Sequence, residues 1–77
     1  MNRIAEEIAQ ILAPVIGSGL AISTVNMQCK KMGISPDLLS INDLNKFADM
    51  IQVPLELFAG ARIAEDLAAE IRLIHKR

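Results

Sequence analysis

The side chains able to do chemistry are few and far apart. Cys29 and His75 are the only cysteine and the only histidine in 77 residues. A nucleophile needs a base within hydrogen-bond reach and a third group to orient that base, and nothing in the spacing brings these two together. Cys29 falls on an apolar stripe, where a free thiol behaves as a small hydrophobe. His75 opens the basic tail His75-Lys76-Arg77, which suits the carbonyl end of a helix. One cysteine and one histidine also fall short of the four-ligand set of a structural metal. The adjacent carboxylates Glu6/Glu7 and Glu65/Asp66 lie on expected solvent faces as solubilising charges. The sequence therefore proposes no catalytic, cofactor-binding or metal-ligating residue and no small-molecule substrate, and the expectation is a protein that is not an enzyme.

Gly17-Ser18-Gly19-Leu20-Ala21-Ile22-Ser23, running on to Met32-Gly33, resembles the glycine box of histidine-kinase-type ATPases, which leads into a helix and lies against nucleotide phosphates. Backbone amides converge on phosphate only when a scaffold holds them. The reading carried forward is a closely packed helix–helix turn.

A second resemblance covers Ser40 to Gly60. Ile41, Leu44, Phe47, Ala48, Ile51, Val53, Pro54 and Leu55 are spaced in a way similar to the C-terminal half of repressor-type helix-turn-helix domains. That likeness implies a helix ending in a short apolar turn, another helix across it, and nucleic-acid binding through the stretch 21–31. There Ser23, Thr24, Asn26 and Gln28 would read bases, and Lys30 and Lys31 would be the only cations for phosphate.

Around these residues the patterning is helical. Ile4, Ala5, Ile8, Ala9, Ile11, Leu12, Val15 and Ile16 follow the i, i+3, i+4, i+7 template behind a capping Asn2, and predict a helix over 3–16 with a kink or stop near Pro14. A second helix is expected over 19–32, with Leu20, Ile22, Val25, Cys29 and Met32 inward. Lys30 and Lys31 lie in its last turn, and Gly33 can take a left-handed cap. Ser35-Pro36-Asp37 signals a turn. Ser40 with Asp43 is an imperfect capping box before a helix over 41–52, and Leu39 can staple against Leu44. Pro54 then predicts a boundary and a last helix over 54–75. Arg62 and Asp66 form an i, i+4 pair on it. Its seam reads Leu57, Gly60, Ala64, Leu67, Ile71, Ile74, with Gly60 and Ala64 small enough to admit another backbone. No internal repeat, low-complexity tract or linker stands out. The expected architecture is one all-α domain, a small array of four helices joined by short turns and dimerising through that seam.

Composition points the same way. Hydrophobic residues make up 52% of the chain but aromatics only 3%, so the apolar content is aliphatic. A domain this small has few fully buried positions, and the surplus is expected to face a partner. A net charge of −1 argues against a strong nucleic-acid field. Glu6 and Glu7 near the start argue against a cleaved export signal, and the lone cysteine fits the cytoplasm. No residue from Ile8 to Cys29 is charged, a run of transmembrane length. Its polar residues, glycines and proline favour a buried helical hairpin over a membrane-associated one. The functional expectation is a helical protein–protein interaction or homo-oligomerisation module, an adaptor or small regulator. The alternatives are a helix-turn-helix-like nucleic-acid binder and a membrane-associated hairpin.

Overall fold

The computed structural model describes residues 1–74, so His75 and the rest of the basic tail lie outside the described residues. The fold is all-α. Four helices follow in order: α1 Arg3–Ile16, α2 Ser18–Lys31, α3 Leu44–Ala59 and α4 Ala61–Arg72, with short 3-10 turns at Pro36–Leu38 and Ile41–Asp43 between α2 and α3.

The capping and stop signals of the first half act as read, but Leu20 and Ile22, expected inward on α2, are each 48% exposed. Ala21, Val25, Gln28 and Cys29 face the core instead. Asn2 Oδ1 accepts from the Ala5 N–H at 2.9 Å and caps α1. Its Nδ2 donates to the Leu39 and Asp37 carbonyls at 2.7 and 3.1 Å, tying the start of α1 to the α2–α3 connection. Gly33, at φ +74°, ends α2 in a Schellman motif. There the Ile34 N–H reaches the Cys29 carbonyl and the Gly33 N–H reaches the Lys30 carbonyl, each at 3.0 Å. Asp43 reaches back to the Ser40 N–H at 2.9 Å and its hydroxyl at 3.0 Å, so the imperfect box closes. Leu39 and Leu44 are both buried in the core.

The second half departs from the expectation. Pro54 lies inside α3, which runs on to Ala59, and α4 begins only after Gly60. Proline removes one helical hydrogen bond and crowds the carbonyl four residues back. Pro54 is exposed, as is Pro14 in α1, so each defect lies on the outer side of its helix. Inward-facing Ile51 and Leu55 carry α3 through it.

What ends both α1 and α3 is a single glycine. Gly17 has φ 89° and ψ 151°, and Gly60 φ 92° and ψ 159°, a region open essentially to glycine alone. Each glycine N–H closes the helix before it, on Ala13 at 2.8 Å and on Glu56 at 2.9 Å. Each glycine carbonyl opens the next helix, taking the Ala21 N–H at 2.9 Å and the Ala64 N–H at 3.1 Å. A Cβ at either glycine would meet nothing within 4 Å, so backbone conformation rather than close approach requires them.

These two corners reveal a repeat that the periodicity analysis did not. Ala5, Ile8, Leu12, Gly17 and Ala21 recur as Ala48, Ile51, Leu55, Gly60 and Ala64, each pair 43 residues apart. The four non-glycine residues of each set are buried. The molecule is two helical hairpins, α1–α2 and α3–α4, built on one frame. α1 packs on α4 and α2 on α3, so exchanging the hairpins maps one contact onto the other. Both glycine corners lie at one end, since Ile16 and Leu20 line the same cleft as Leu55 and Phe58. The accessible surface, 4549 Å², is close to the ~4,600 Å² expected of a compact monomer of this mass. The core thus closes without a second chain, and any surplus apolar surface consists of side chains directed outward.

Candidate interaction surface

The residues of the expected dimer seam part company. Ala64, Leu67, Ile71 and Ile74 are buried in the chain's own core, packed with Phe47, Ile51 and Leu55. Gly60 is the corner. The reversal at Gly60 is the reason: Leu57 stays on α3 while the rest of the seam turns inward on α4. Leu57 alone projects outward, 88% exposed.

The residues weighed for chemistry are equally dispersed. Cys29 is fully buried, and burial first and the Asp43 carboxylate second push its thiol pKa up, which keeps it protonated and unreactive. Glu6, Glu65 and Asp66 are exposed. Glu7 is half-buried rather than on the solvent face, held by Arg3 at 2.7 Å, with its Oε2 buried and unpartnered. An interhelical pair, Arg72 with Asp49, joins α4 to α3, whereas Arg62 and Asp66 do not form the expected pair. Among the described residues, no group of three or more His, Cys, Asp or Glu side chains could hold a metal ion.

The remaining motifs are settled by the fold. The Gly17-Ser18-Gly19 stretch is the expected helix–helix turn, but without the expected close packing, since a Cβ at Gly17 or Gly19 would meet nothing within 4 Å. The Val53-Pro54 turn implied by the helix-turn-helix resemblance is helical, and of the proposed base-reading residues Gln28 is 5% exposed and Thr24 half-buried, leaving Ser23 and Asn26 outside. The uncharged run from Ile8 to Cys29 folds back on itself at Gly17, and no helix among the described residues is long and apolar enough to cross a membrane.

What the fold does assemble is a two-helix apolar platform. On α3, Met50, Val53, Pro54 and Leu57 follow the i, i+3, i+4, i+7 pattern on the side away from the core. Val53 and Leu57 are exposed and Met50 half-buried. On α2, which runs antiparallel beside α3, Leu20, Thr24 and Met27 form the matching row, with Leu20 and Met27 exposed. Between the rows lies a cleft of about 150 Å³ lined by Ile16, Leu20, Thr24, Pro54 and Phe58 among others.

No family model, curated protein or solved structure matches this chain.

The repeat then supplies an internal control for the platform. On the opposite face, the positions equivalent to Met50, Val53 and Leu57 are Glu7, Gln10 and Pro14, and the position equivalent to Met27 is Glu70. The frame therefore accepts polar and charged residues at these places, and folding alone does not demand apolar ones. The seam beneath differs likewise. Between α1 and α4, Ile11 and Leu67 are 8% and 5% exposed and fill it. Between α2 and α3 their equivalents are Pro54 and Thr24, and the cleft stays open. A larger open groove of about 510 Å³ runs between α1 and α2, with Glu6 and Gln10 on its wall beside Ala9, Ala13 and Ile22. It mixes charge, amide and small residues, whereas no lining residue of the α2–α3 cleft is charged.

Sequence reasoning grouped Leu57 with residues that the fold buries on α4. The outward stripe that it shares with Met50, Val53 and Pro54 is hidden when a helix is ended at the proline.

Proposed function

We propose that this chain is a non-enzymatic helical interaction module, of the adaptor or small-regulator kind, whose docking face is the α2–α3 platform. The observation that carries this is Leu57, exposed at 88% among other apolar side chains where the equivalent position across the molecule holds Pro14 amid Glu7 and Gln10. Exposed large apolar side chains gathered on one face, with an uncharged cleft among them, are the mark of a surface that another protein covers. A cytoplasmic setting fits the single free thiol.

The test is gel filtration of the protein in an extract of cells that express it. The wild-type chain should elute in an assembly well above its own 8.4 kDa. Leu57→Glu should elute lower, while its circular-dichroism melt stays the same because the position touches little. Elution of both as the free chain would overturn the reading.

A further inference from the structure

The chain passes between its two hairpins once, and apolar packing holds them together. Within each hairpin a one-residue corner hydrogen-bonds to both helices, and Arg72 with Asp49 adds a tie in the second. Between the hairpins the case is different. Among the described residues no hydrogen bond or ion pair joins α1 or α2 to α3 or α4. Packing of this kind is non-directional, so a hairpin's inner face accepts its mate from any copy of the chain.

The seams are also imperfect. The one between α2 and α3 keeps its cleft of about 150 Å³. Glu7 Oε2 and Gln28 Nε2, both buried without partners, stand one helical turn from Ile11 and Thr24, which belong to the two seams. Parting the hairpins returns both groups to water, which offsets part of the lost burial.

The link between the hairpins has slack. Gly17 and Gly60 show that this frame steps between neighbouring antiparallel helices with a single residue. The α2 and α3 helices are neighbours too, with axes roughly 8–10 Å apart. Yet the twelve residues 32–43 join them. Drawn out, that stretch reaches roughly 40 Å, beyond the molecule's longest extent of 29 Å. It is pinned to the start of α1 by the two Asn2 hydrogen bonds and the Met1–Asp37 ion pair, and to the core by Leu39. A pair of chains holds two sets of all these groups.

We infer that the hairpins exchange between copies: the chain opens at 32–43, and α1–α2 of one molecule closes on α3–α4 of another. The product is a dimer of two globules in which both seams are remade. This goes beyond the interaction-module reading and does not depend on what covers the platform. Exchange of identical elements is a low-cost route to dimers, because every contact is one the monomer already makes and concentration sets the balance. The dimer carries two α2–α3 platforms in one assembly, so a partner with two matching sites binds it more tightly than it binds the monomer.

The experiment refolds the full chain from urea at about 10 µM and at about 1 mM, a span that favours first the single chain and then the pair. Gel filtration follows at once. Wild type should give the 8.4 kDa monomer from the dilute sample. The concentrated one should add a species of twice that mass with the same circular-dichroism spectrum. That species should persist for hours after dilution, because its return to monomers requires the hairpins to part. Leu57→Glu should form it equally, since the platform takes no part. In a second arm, Leu12→Asp and Leu55→Asp each spoil one hairpin and should be unfolded alone. Refolded together at about 1 mM they should regain about half the wild-type helical signal, because exchange builds one globule from the two sound hairpins. A wild-type chain that is monomeric from both samples, or a mixture that stays unfolded, would overturn the inference. A dimer that dissociates at once on dilution, or that Leu57→Glu abolishes, is a surface contact and would overturn it as well, while supporting the platform.

Discussion

The two seams between the hairpins occupy equivalent places in one frame, yet only one is finished. Between α1 and α4, Ile11 and Leu67 fill the space and the outer positions are Glu7, Gln10 and Glu70. Between α2 and α3, Pro54 and Thr24 leave a cleft, and the outer positions of the two helices are the apolar Met50, Val53, Leu57 and Met27. The glycine corners and the inner residues Ala5, Ile8, Leu12 and Ala21 recur at the equivalent places, so one frame carries two differently finished seams. The comparison separates positions that the frame holds constant from those that it leaves free to vary.

That separation can be tested by treating equivalent positions as pairs. The largest effects belong to the shared core. Leu12→Ala and Leu55→Ala should each cost about 2–5 kcal/mol. Urea unfolding at matched temperature should rank them within about 1 kcal/mol of each other, within the scatter of such substitutions. A strongly unequal pair would mean that the two hairpins are alike in outline only. Next come the corners. Gly17→Ala and Gly60→Ala should each cost about 1–3 kcal/mol, all of it backbone strain, because the added methyl group has open space. A neutral result at either would show that its helix can end another way.

Smaller effects come from positions where the halves diverge. Gln28 replaces the buried Ile71 of the other hairpin, and its Nε2 is buried without a partner. Gln28→Ile, which copies the second half onto the first, should raise stability by about 1–2 kcal/mol in the same denaturation assay. Loss of stability would reveal a use for that amide. Cys29 stands where the other hairpin has Arg72. Its thiol pKa is raised in the folded state, so the folded chain holds the proton more tightly than the unfolded one. Stability is therefore complete below the ordinary thiol value of 9.0 and falls as the pH climbs above it. Cys29→Ala should flatten that decline in melting temperature across the alkaline range, and an identical slope would assign the decline to other groups.

Much of the fold was legible because its signals are local. Asn2, Gly33 and the Ser40–Asp43 box each set a helix end through hydrogen bonds spanning a few residues, and each acts where the sequence places it. Pro54 misled because a proline's cost depends on which side of the helix it occupies, and that side is fixed by tertiary packing of Ile51 and Leu55. Gly60 misled for a related reason: within a regular three-and-four spacing it looked like a small seam residue, whereas its conformation makes it a corner. The repeat was present in the string as Ala-Ile-Leu-Gly-Ala at matched intervals, and only the shared corner geometry gives those five residues a common meaning. The platform was the least visible part. Its two rows come from helices on different hairpins, and no single stretch of sequence contains both.

The one-residue corners leave a protease almost nothing to grip, since Gly17 and Gly60 each belong to the hydrogen bonding of two helices at once. The first cut should therefore fall in the 32–43 connection. It would release two helical hairpins of similar size that remain held to each other by the buried face between them. Expressed as separate fragments divided within that connection, the halves should find one another and rebuild the native circular-dichroism spectrum.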